Sequence, residues 1–345
     1  MEMKRTTAYY RHVGLFLSVL FFLSSCVKIE EYENTPRGNF EALWEIMDEK
    51  YCFFSCKELV WDEIYRTYSA RVNNAMNHEE LFKLLNEMLQ ELKDGHVNLI
   101  TPFDIGRYWK WFEDFPENFD RKLIDNIYLG TDYAIASGMR YKTLKDNIGY
   151  IYYGDFASGI SAASLDYILT KFTVCNGIII DVRNNGGGLL SNVTEFASRF
   201  TNEKMLTGYI QHKTGKGHND FSELFPKYIE PSTRIRYKKP VVVLTNRKCY
   251  SATNEFVSMM RLFDLVTIMG DRTGGGSGLP MSSELPNGWA ARFSACPNFD
   301  ENKRQIEFGI DPDIFIEWND EDRTQDSFIE AARNYLHQKT KIENK

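Results

Sequence analysis

Apolar runs followed by helical patterns in the second half of the chain constrain its fold more than any other feature. Two of the runs are continuously apolar, as expected of a strand buried on both faces. The runs are residues 148–153, 177–182 and 241–245, with a fourth strand at 265–269. Amphipathic helical patterns follow the first three at residues 161–172, 189–200 and 251–263. Such alternation predicts an α/β core with a parallel sheet.

The chain before this core has the periodicity of helices. Apolar residues recur at helical spacing in three stripes between residues 39 and 93, and Asn77 with Glu80 resembles a capping box ahead of the third stripe. Residues 102–129 are aromatic and charged without a period, which is typical of a covering segment or a cleft wall. We therefore expect a helical subdomain over residues 39–140 and an α/β core over 141–345. An inserted loop is predicted at 212–236 and a last helix at 326–337.

The first 26 residues predict an exported protein. Lys4, Arg5 and Arg11 precede an apolar run at residues 13–23, which is too short to span a bilayer but has the length of a signal-peptide core. The run ends in Leu-Ser-Ser-Cys, which resembles the lipobox of bacterial lipoproteins. We expect residues 1–25 to be removed, Cys26 to be lipidated and residues 26–38 to act as a tether. The alternative is an ordinary signal peptide with a chance cysteine.

This leader places the expected protein in the bacterial cell envelope. The lipid anchor would attach it to a membrane, and we expect the outer membrane, on its periplasmic or its surface face. The compartment permits disulfides. Five cysteines remain after Cys26, an odd number that cannot all pair internally. Cys52 and Cys56 are close enough in sequence to form a local bridge, and two buried thiols fit them equally well.

Charge and composition exclude several classes of function. The 41 basic residues are outnumbered by 48 acidic ones, giving a net charge of −7, so we expect no nucleic acid as a partner. The hydrophobic fraction of 43% is too low for a protein with many membrane spans and too high for a disordered chain. The cysteines lack the paired spacing of a zinc site. We expect no metal and no organic cofactor.

A glycine-rich turn is the first candidate for chemistry. The sequence DVRNNGGG at 181–188 begins at the end of a buried strand and leads into a predicted helix. Backbone N–H groups of such a turn can face an anion, so the turn is suited to be a phosphate cradle or an oxyanion hole. Because it lacks both the P-loop and the GxGxxG spacing, nucleotide binding is disfavoured. A purely structural turn is the alternative.

Ser251 and His96 are the two other candidates. Ser251 follows a buried strand at the mouth of a helix, where a nucleophile would lie beside the free N–H groups of the first turn. A helix-capping serine explains that position equally well. His96 lies between a helix and a short apolar strand, in the sequence LKDGHVNL. Imidazole titrates near neutral pH, as a general base requires, although a lone histidine is more often structural.

The ordered motifs resemble those of one enzyme family. They are DGH at 94–96, DVRNNGGG at 181–188, SATNE at 251–255, GDRTGGG at 270–276 and EFGIDPD at 307–313. This order resembles the C-terminal processing, or tail-specific, and tricorn-type serine peptidases, across residues 96–313. The resemblance implies a ClpP/crotonase-like α/β core with a helical N-terminal part. The stretch of about fifty residues between Leu99 and Gly149 is short for a PDZ module, so none is predicted.

The resemblance also implies roles for individual residues. One branch of the family uses a lysine base, but the lysine's place is taken by Gly276 here, and a nearby arginine cannot lose its proton. The tricorn-type branch uses a histidine, which implies that Ser251 attacks the peptide carbonyl and that His96 takes its proton. The resemblance places Glu307 as the group that orients the site or the imidazole.

Two further points complete this site. The resemblance assigns the oxyanion hole to the N–H groups of Ala252 and a glycine, taken as Gly187. Asp94 remains an alternative to Glu307 as the residue that orients His96. With the imidazole at its reference pKa, activity would rise through about pH 6.5.

The sequence therefore predicts an envelope-anchored serine-type endopeptidase that hydrolyses peptides or exposed protein termini. Its partners would be a peptide or protein substrate and the membrane, and nothing in the sequence indicates the oligomeric state. One rival is a peptide-binding lipoprotein that keeps the fold without the activity. Another is an acyl-CoA enzyme, because crotonases share the fold, although the leader argues against cytoplasmic substrates.

Overall fold

The computed structural model describes residues 32–322 and 324–343. The predicted leader at 1–25 and the predicted lipidation site Cys26 lie outside the described residues, as does the first part of the predicted tether. Within the described ranges, no helix is both long enough and apolar enough to cross a membrane.

A seven-stranded sheet forms the centre of the molecule. Its strands are β2 (Ala134–Ala136), β3 (Met139–Thr143), β4 (Gly149–Tyr152), β5 (Ile178–Asp181), β8 (Val241–Thr245), β9 (Val266–Gly270) and β13 (Ile314–Phe315). Their spatial order is β13-β9-β8-β5-β4-β3-β2. The first five strands in this order are parallel, and β3 and β2 extend the sheet as an antiparallel edge. The predicted α/β core is confirmed.

Helices cover both faces of this sheet. The core helices are α6 (Ala162–Phe172), α7 (Leu190–Ala197), α8 (Ala252–Met260) and α9 (Ser327–Glu343). Alternate residues of β8 enter different cores, with Val243 packing in the cluster that contains α6, α7 and α8, and Val242 packing with α9. Burial on both faces explains why the central strands are continuously apolar.

The N-terminal helices pack around a second, smaller sheet. They are α1 (Pro36–Lys50), α2 (Trp61–Ser69) and α3 (His78–Gln90). The sheet has the order β1-β11-β10, from β1 (Asn98–Ile100), β10 (Leu279–Glu284) and β11 (Ala290–Cys296). The predicted Asn77–Glu80 capping box is present at the start of α3. Because β10 and β11 lie far along the chain, the two cores interleave in sequence; the predicted boundary at residue 140 stays a prediction.

Residues 101–148 contain no separate module. They form short helical segments and the β2–β3 edge of the main sheet. The short segments are α4 (Lys110–Glu113), α5 (Arg121–Leu123) and a π-helical turn at Ile124–Leu129. The stretch between β1 and β4 therefore has no room for a PDZ module.

One sequence prediction was wrong and another was too short. The predicted loop at 212–236 contains β7 (Phe225–Ile229), which pairs with β6 (Met205–Ile210), and β12 (Asn298–Phe299) completes this third sheet. The strand was missed because Pro226 and Lys227 interrupt its apolar pattern. The last helix, α9, continues six residues beyond the predicted end at 337. Cys52 and Cys56 are free thiols, so the local bridge does not form.

Candidate active site

Ser251 lies on a tight turn between a strand and a helix. β8 ends at Thr245, and Ser251 directly precedes α8 with φ of 59° and ψ of −124°. Positive φ is uncommon for a residue with a side chain and is found where strain serves a function. The Ser251 N–H donates to the Gly275 carbonyl at 2.8 Å, which fixes the turn. The Ser251 side chain makes no capping bond to α8, so helix capping does not explain this serine.

His96 and Ser251 are brought together although 155 residues separate them in sequence. His96 Nε2 lies 2.9 Å from Ser251 Oγ, which is hydrogen-bonding distance. The backbone N–H of His96 donates to Asp94 Oδ1 at 2.8 Å, and this bond fixes the turn that carries the imidazole. The side chain is buried, and its ring packs against Tyr250 with centroids 5.0 Å apart.

Burial determines the protonation state of His96. Removal from water lowers the pKa of the imidazole to about 4; the carboxylate of Asp94 opposes this shift, and the positive charges of Arg292 and Lys57 add to it. The ring is therefore neutral at pH 7, the form that accepts a proton from a serine hydroxyl. The sequence prediction of an activity rise near pH 6.5 is replaced by one near pH 4.

Glu307 and Asp94, the two candidates for orienting the imidazole, make other bonds. Glu307 Oε2 accepts the Ser277 N–H at 2.8 Å and the Ser277 hydroxyl at 3.3 Å. Asp94 Oδ2 accepts the hydroxyls of Tyr51 at 3.0 Å and Ser294 at 2.9 Å. The remaining ring nitrogen of His96, Nδ1, is buried and forms no hydrogen bond of normal geometry with either carboxylate. Glu307 therefore holds the loop beside the imidazole and does not contact the ring.

Lys57 joins these two carboxylates and was missed by sequence reasoning. Its Nζ lies 3.4 Å from Asp94 Oδ2 and 3.2 Å from Glu307 Oε1, with all three side chains almost fully buried. Nζ also donates to the carbonyls of Leu92 and Lys93 at 3.3 Å. We call Lys57, Asp94 and Glu307 the lysine cluster. No local motif marks Lys57, which lies in an irregular segment between α1 and α2.

The charges of the lysine cluster interact strongly. Burial, then repulsion by Asp94, raises the pKa of Glu307 to about 7, although Lys57 opposes the shift. Burial would raise the pKa of Asp94 as well, but Lys57 and the hydrogen bonds from His96 and Ser294 hold it below its usual value. At neutral pH, Asp94 is therefore the ionised carboxylate, and Glu307 lies close to its titration midpoint.

The predicted oxyanion donors are placed differently from one another. Ala252 lines the cleft at the start of α8, and among the described residues its N–H has no acceptor. The Gly187 N–H instead donates to Asn185 Oδ1 at 2.9 Å, so the prediction for Gly187 is wrong as a donor. Gly188 lines the cleft beside it. Gly188 and Phe156 form a parallel β-bridge, in which the Phe156 N–H donates to the Gly187 carbonyl and the Leu189 N–H donates to the Phe156 carbonyl. In this pattern the N–H of Gly188 itself points away from Phe156.

Gly187 is nevertheless needed as a glycine. Its φ is 103°, and a Cβ added to it would lie 2.8 Å from Ser251 Cβ and 2.7 Å from the Tyr250 carbonyl oxygen. The glycine turn can therefore approach the serine turn only without a side chain at this position. Gly187 therefore fixes the spacing of the site, and among the described residues the N–H of its neighbour Gly188 has no acceptor.

A second group of buried charges lies under the glycine turn. Arg183 Nε and Nη2 donate to the two oxygens of Asp181 at 2.9 and 2.7 Å, and Nη1 reaches Asp326 at 3.0 Å. The guanidinium lies between the rings of Phe119 and Phe328, each 5.1 Å from its centre. We call Arg183, Asp181 and Asp326 the arginine cluster. Asp326 also accepts N–H groups from the first turn of α9, so the cluster ties that helix to the glycine turn.

Ser251 and His96 open into a cleft of about 360 Å³. Its walls come from both cores and include Trp109 and Trp111, which belong to the segment predicted to be a covering segment or a cleft wall. Trp111 stacks on Tyr250 with centroids 4.1 Å apart, which fixes that wall beside the nucleophile. Leu190 and Leu279 add apolar surface. Within the described ranges, no group of three or more His, Cys, Asp or Glu side chains is placed to hold a metal ion.

Comparison with known proteins identifies the same two regions. The sequence model of peptidase family S41 matches residues 147–316, and that of the tricorn protease C1 domain matches residues 32–90. A solved structure from Parabacteroides merdae ATCC 43184, described as that of a putative peptidase, is 57% identical, covers 88% of this chain and 97% of that one, and superimposes with a TM-score of 0.84.

Two curated relatives are more distant. A tricorn-like protease C-terminal subunit of Sulfurisphaera tokodaii is 27% identical over 233 residues, or 63% of this chain and 25% of that protein. The chloroplastic C-terminal processing peptidase of Tetradesmus obliquus is 27% identical over 180 residues, or 50% of this chain and 36% of that protein. The chain thus spans about a quarter to a third of the length of these two proteins.

Proposed function

We propose that this chain, which belongs to peptidase family S41, is a serine endopeptidase with Ser251 as nucleophile and His96 as general base. The contact of 2.9 Å between His96 Nε2 and Ser251 Oγ carries this proposal. A neutral imidazole in hydrogen-bond contact with a hydroxyl on a strained turn is the arrangement that nucleophilic catalysis requires. The substrate would be a peptide or an exposed protein terminus.

Acylation follows from this geometry. Ser251 Oγ attacks the carbonyl carbon of the scissile bond while its proton moves to His96 Nε2. The N–H groups of Ala252 and Gly188 stabilise the negative oxygen that forms, replacing the predicted pair of Ala252 and Gly187. His96 then gives the proton to the leaving amine as the C–N bond breaks, which leaves an ester on Ser251.

Deacylation uses the same groups in reverse order. A water molecule enters from the cleft and loses its proton to His96 Nε2 as its oxygen attacks the ester carbon. The C–O bond to Ser251 breaks, Oγ recovers the proton from His96, and the new carboxylate leaves. Asp94, whose carboxylate holds the backbone of the His96 turn, favours the imidazolium formed in both steps.

Labelling with a fluorophosphonate probe tests this function. The purified protein should be labelled at Ser251, because the probe reacts with an activated serine hydroxyl. Ser251→Ala should abolish labelling, and His96→Gln should lower its rate by about 10²-fold or more, the usual contribution of a general base. His78→Gln, on the exposed start of α3, is the matched control and should behave as wild type.

The opposite result has a clear meaning. If a folded wild-type protein stays unlabelled under conditions that label a known serine peptidase, the protein is a peptide-binding member of the family without hydrolytic activity. Peptide affinity without turnover would then replace the peptidase proposal.

We propose that the protein works in the cell envelope, anchored through Cys26. The support is the charged start, short apolar run and Leu-Ser-Ser-Cys ending of the leader. An alkyne fatty acid fed to bacteria that produce the protein should label the wild type, and the labelled protein should fractionate with the membranes. Cys26→Ala should remove both, while Cys175→Ala, a buried thiol of the core, should change neither. Equal labelling of wild type and Cys26→Ala would contradict the anchor.

A further inference from the structure

Arg292 places a positively charged guanidinium in the cleft. It lines the same cleft as Ser251 and is half-buried there. Nη1 donates to Asn98 Oδ1 at 3.2 Å, and no carboxylate among the described residues forms an ion pair with the guanidinium. A guanidinium offers five N–H donors in a planar fork, so most of its capacity is unused.

The other charged side chains of the cleft cancel. Glu255 faces the cleft but forms a close ion pair with Lys227, which also donates to Asn298 Oδ1 at 2.8 Å. His96 is neutral because burial lowers its pKa to about 4. Among the described residues that line the cleft, Arg292 is therefore the charged side chain without an ion pair, although the ionised Asp94 behind His96 partly offsets its charge. An unpaired guanidinium at the surface of a cleft attracts negatively charged groups.

Arg292 lies on the wall of the cleft that carries the general base. It pairs with Asn98 in the register of β11 and β1, and Asn98 is two residues beyond His96. Its positive charge contributes to the low pKa of His96, which places the two side chains within electrostatic reach. A group bound by Arg292 would therefore lie beside the scissile bond and not at a remote end of the cleft.

The same cleft has apolar walls. Trp109, Leu190 and Leu279 line the cleft and remain between 40% and 44% exposed. Such surfaces exclude water from a bound peptide, and an ion pair strengthens when its surroundings lose water. For the described part of the cleft, a guanidinium without an ion pair together with apolar walls fits a ligand that combines a negative charge with apolar side chains.

We propose that Arg292 binds a carboxylate of the substrate, supplied by an acidic side chain next to the scissile bond or by a free C-terminus. The proposal rests on the function proposed above and adds the substrate class. Both sources offer the same planar pair of oxygens, to which the guanidinium can donate two parallel hydrogen bonds. Arg292 is on this basis a specificity-determining residue.

Matched peptide pairs test the proposal. The first arm compares internally quenched peptides with Glu or Gln at each position around the cleaved bond, and the second compares peptides ending in an acid or an amide. In wild type, one arm should show a preference for the carboxylate of about tenfold in kcat/KM. Arg292→Gln should reduce this ratio to about one, and Arg292→Lys should leave part of it. Arg66→Gln, an exposed charge on α2, is the matched control.

The ratio within each variant separates the two proposals. It is insensitive to a general loss of activity, since both peptides of a pair meet the same enzyme. Cleavage without a carboxylate preference, or a preference that Arg292→Gln retains, overturns the role of Arg292 and leaves the peptidase intact. The arm that shows the preference identifies the source of the carboxylate.

Binding provides a second measurement that needs no hydrolysis. The same peptide pairs are titrated calorimetrically into Ser251→Ala and into Ser251→Ala with Arg292→Gln. Tighter binding of the carboxylate peptide by about tenfold in the first protein only supports Arg292, even if the wild type is not labelled by the probe. Equal affinities within each pair overturn the proposal.

Discussion

The arginine cluster and the lysine cluster are both buried, but they differ in geometry and in their ability to change charge. Arg183 contacts Asp181 through two short parallel bonds, whereas Nζ of Lys57 lies 3.2 and 3.4 Å from its two carboxylates. A guanidinium does not deprotonate in proteins, while the pKa of Glu307 is about 7. Only the lysine cluster adjoins the base and titrates near neutral pH.

This difference indicates that the two clusters have different roles, one in stability and one in the electrostatics of the site. The arginine cluster connects the glycine turn to α9 and has no contact with the cleft, so we assign it to stability. The lysine cluster connects the His96 turn to the loop held by Glu307, so we assign it to the electrostatics of the base. This division can be broken or sharpened by removing one charge at a time.

The largest effect is expected for Arg183→Met. The substitution leaves Asp181 and Asp326 buried without their cation, which costs about 3–5 kcal/mol of unfolding free energy. Urea denaturation at pH 7, followed by circular dichroism, measures the loss. Arg66→Gln is again the control, and it should change stability by less than about 0.5 kcal/mol because its ion pair is exposed. A loss below about 1 kcal/mol for Arg183→Met would contradict the structural role.

A smaller, pH-dependent effect is expected for Lys57→Met. Asp94 keeps its hydrogen bonds and Glu307 can take a proton, so we expect a loss of about 2 kcal/mol at pH 6. In wild type, the folded-state pKa of Glu307 is raised to about 7, so the stability falls with rising pH only up to that value; removing the cation of Lys57 raises this pKa further, so the variant continues to lose stability above pH 7. The cost of Lys57→Met should therefore increase from pH 6 to pH 8.5, measured by urea denaturation at each pH.

A second substitution distinguishes lost charge from lost packing. Adding Glu307→Gln to Lys57→Met removes one of the two uncompensated carboxyl groups, and part of the stability should return at pH 8.5. Failure of the double variant to recover any stability, or a cost that is constant with pH, would make the lysine cluster equivalent to a structural ion pair. The contrast between the clusters would then be lost.

The sequence predicts most of the fold because apolar runs report burial directly. The central strands lie within two residues of their predicted bounds, since residues buried on both faces must all be apolar. β7 was not predicted because it lies in a surface sheet, where Pro226 and Lys227 interrupt its apolar pattern. At the surface, strand pairing depends on the neighbouring strand β6 more than on the strand's own sequence.

The site was predictable only where a local motif carries it. Ser251 and His96 were found by their motifs, and the structure brings them into contact. Lys57 and Arg292 were not, because their positions depend on how β1, β11 and an irregular segment pack together. The sequence also could not distinguish the Gly187 N–H from the Gly188 N–H, because the Gly187 N–H donates to the side-chain oxygen of Asn185, a contact that no local motif predicts.

The smallest effect is expected in the pH dependence of Ser251 labelling. The rate should rise through about pH 4 as His96 becomes neutral, and it should rise again by about twofold through pH 7 as Glu307 ionises. The second rise is small because Glu307 does not contact the ring, and its sign is positive because a nearby negative charge favours the imidazolium. Labelling reactions with the fluorophosphonate probe, quenched at set times between pH 3.5 and pH 9, give the rate at each pH and so measure both steps.

Glu307→Gln isolates the second step. Glutamine still offers an oxygen to the Ser277 N–H, so the loop should stay in place while the ionisation near pH 7 disappears. The variant should keep the rise near pH 4 and be flat from pH 5 to pH 9, whereas Glu117→Gln, the exposed partner of Lys248, should keep both rises. A second rise that survives in Glu307→Gln would have to come from another group. The lysine cluster would then have no titrating role, and its difference from the arginine cluster would be one of geometry alone.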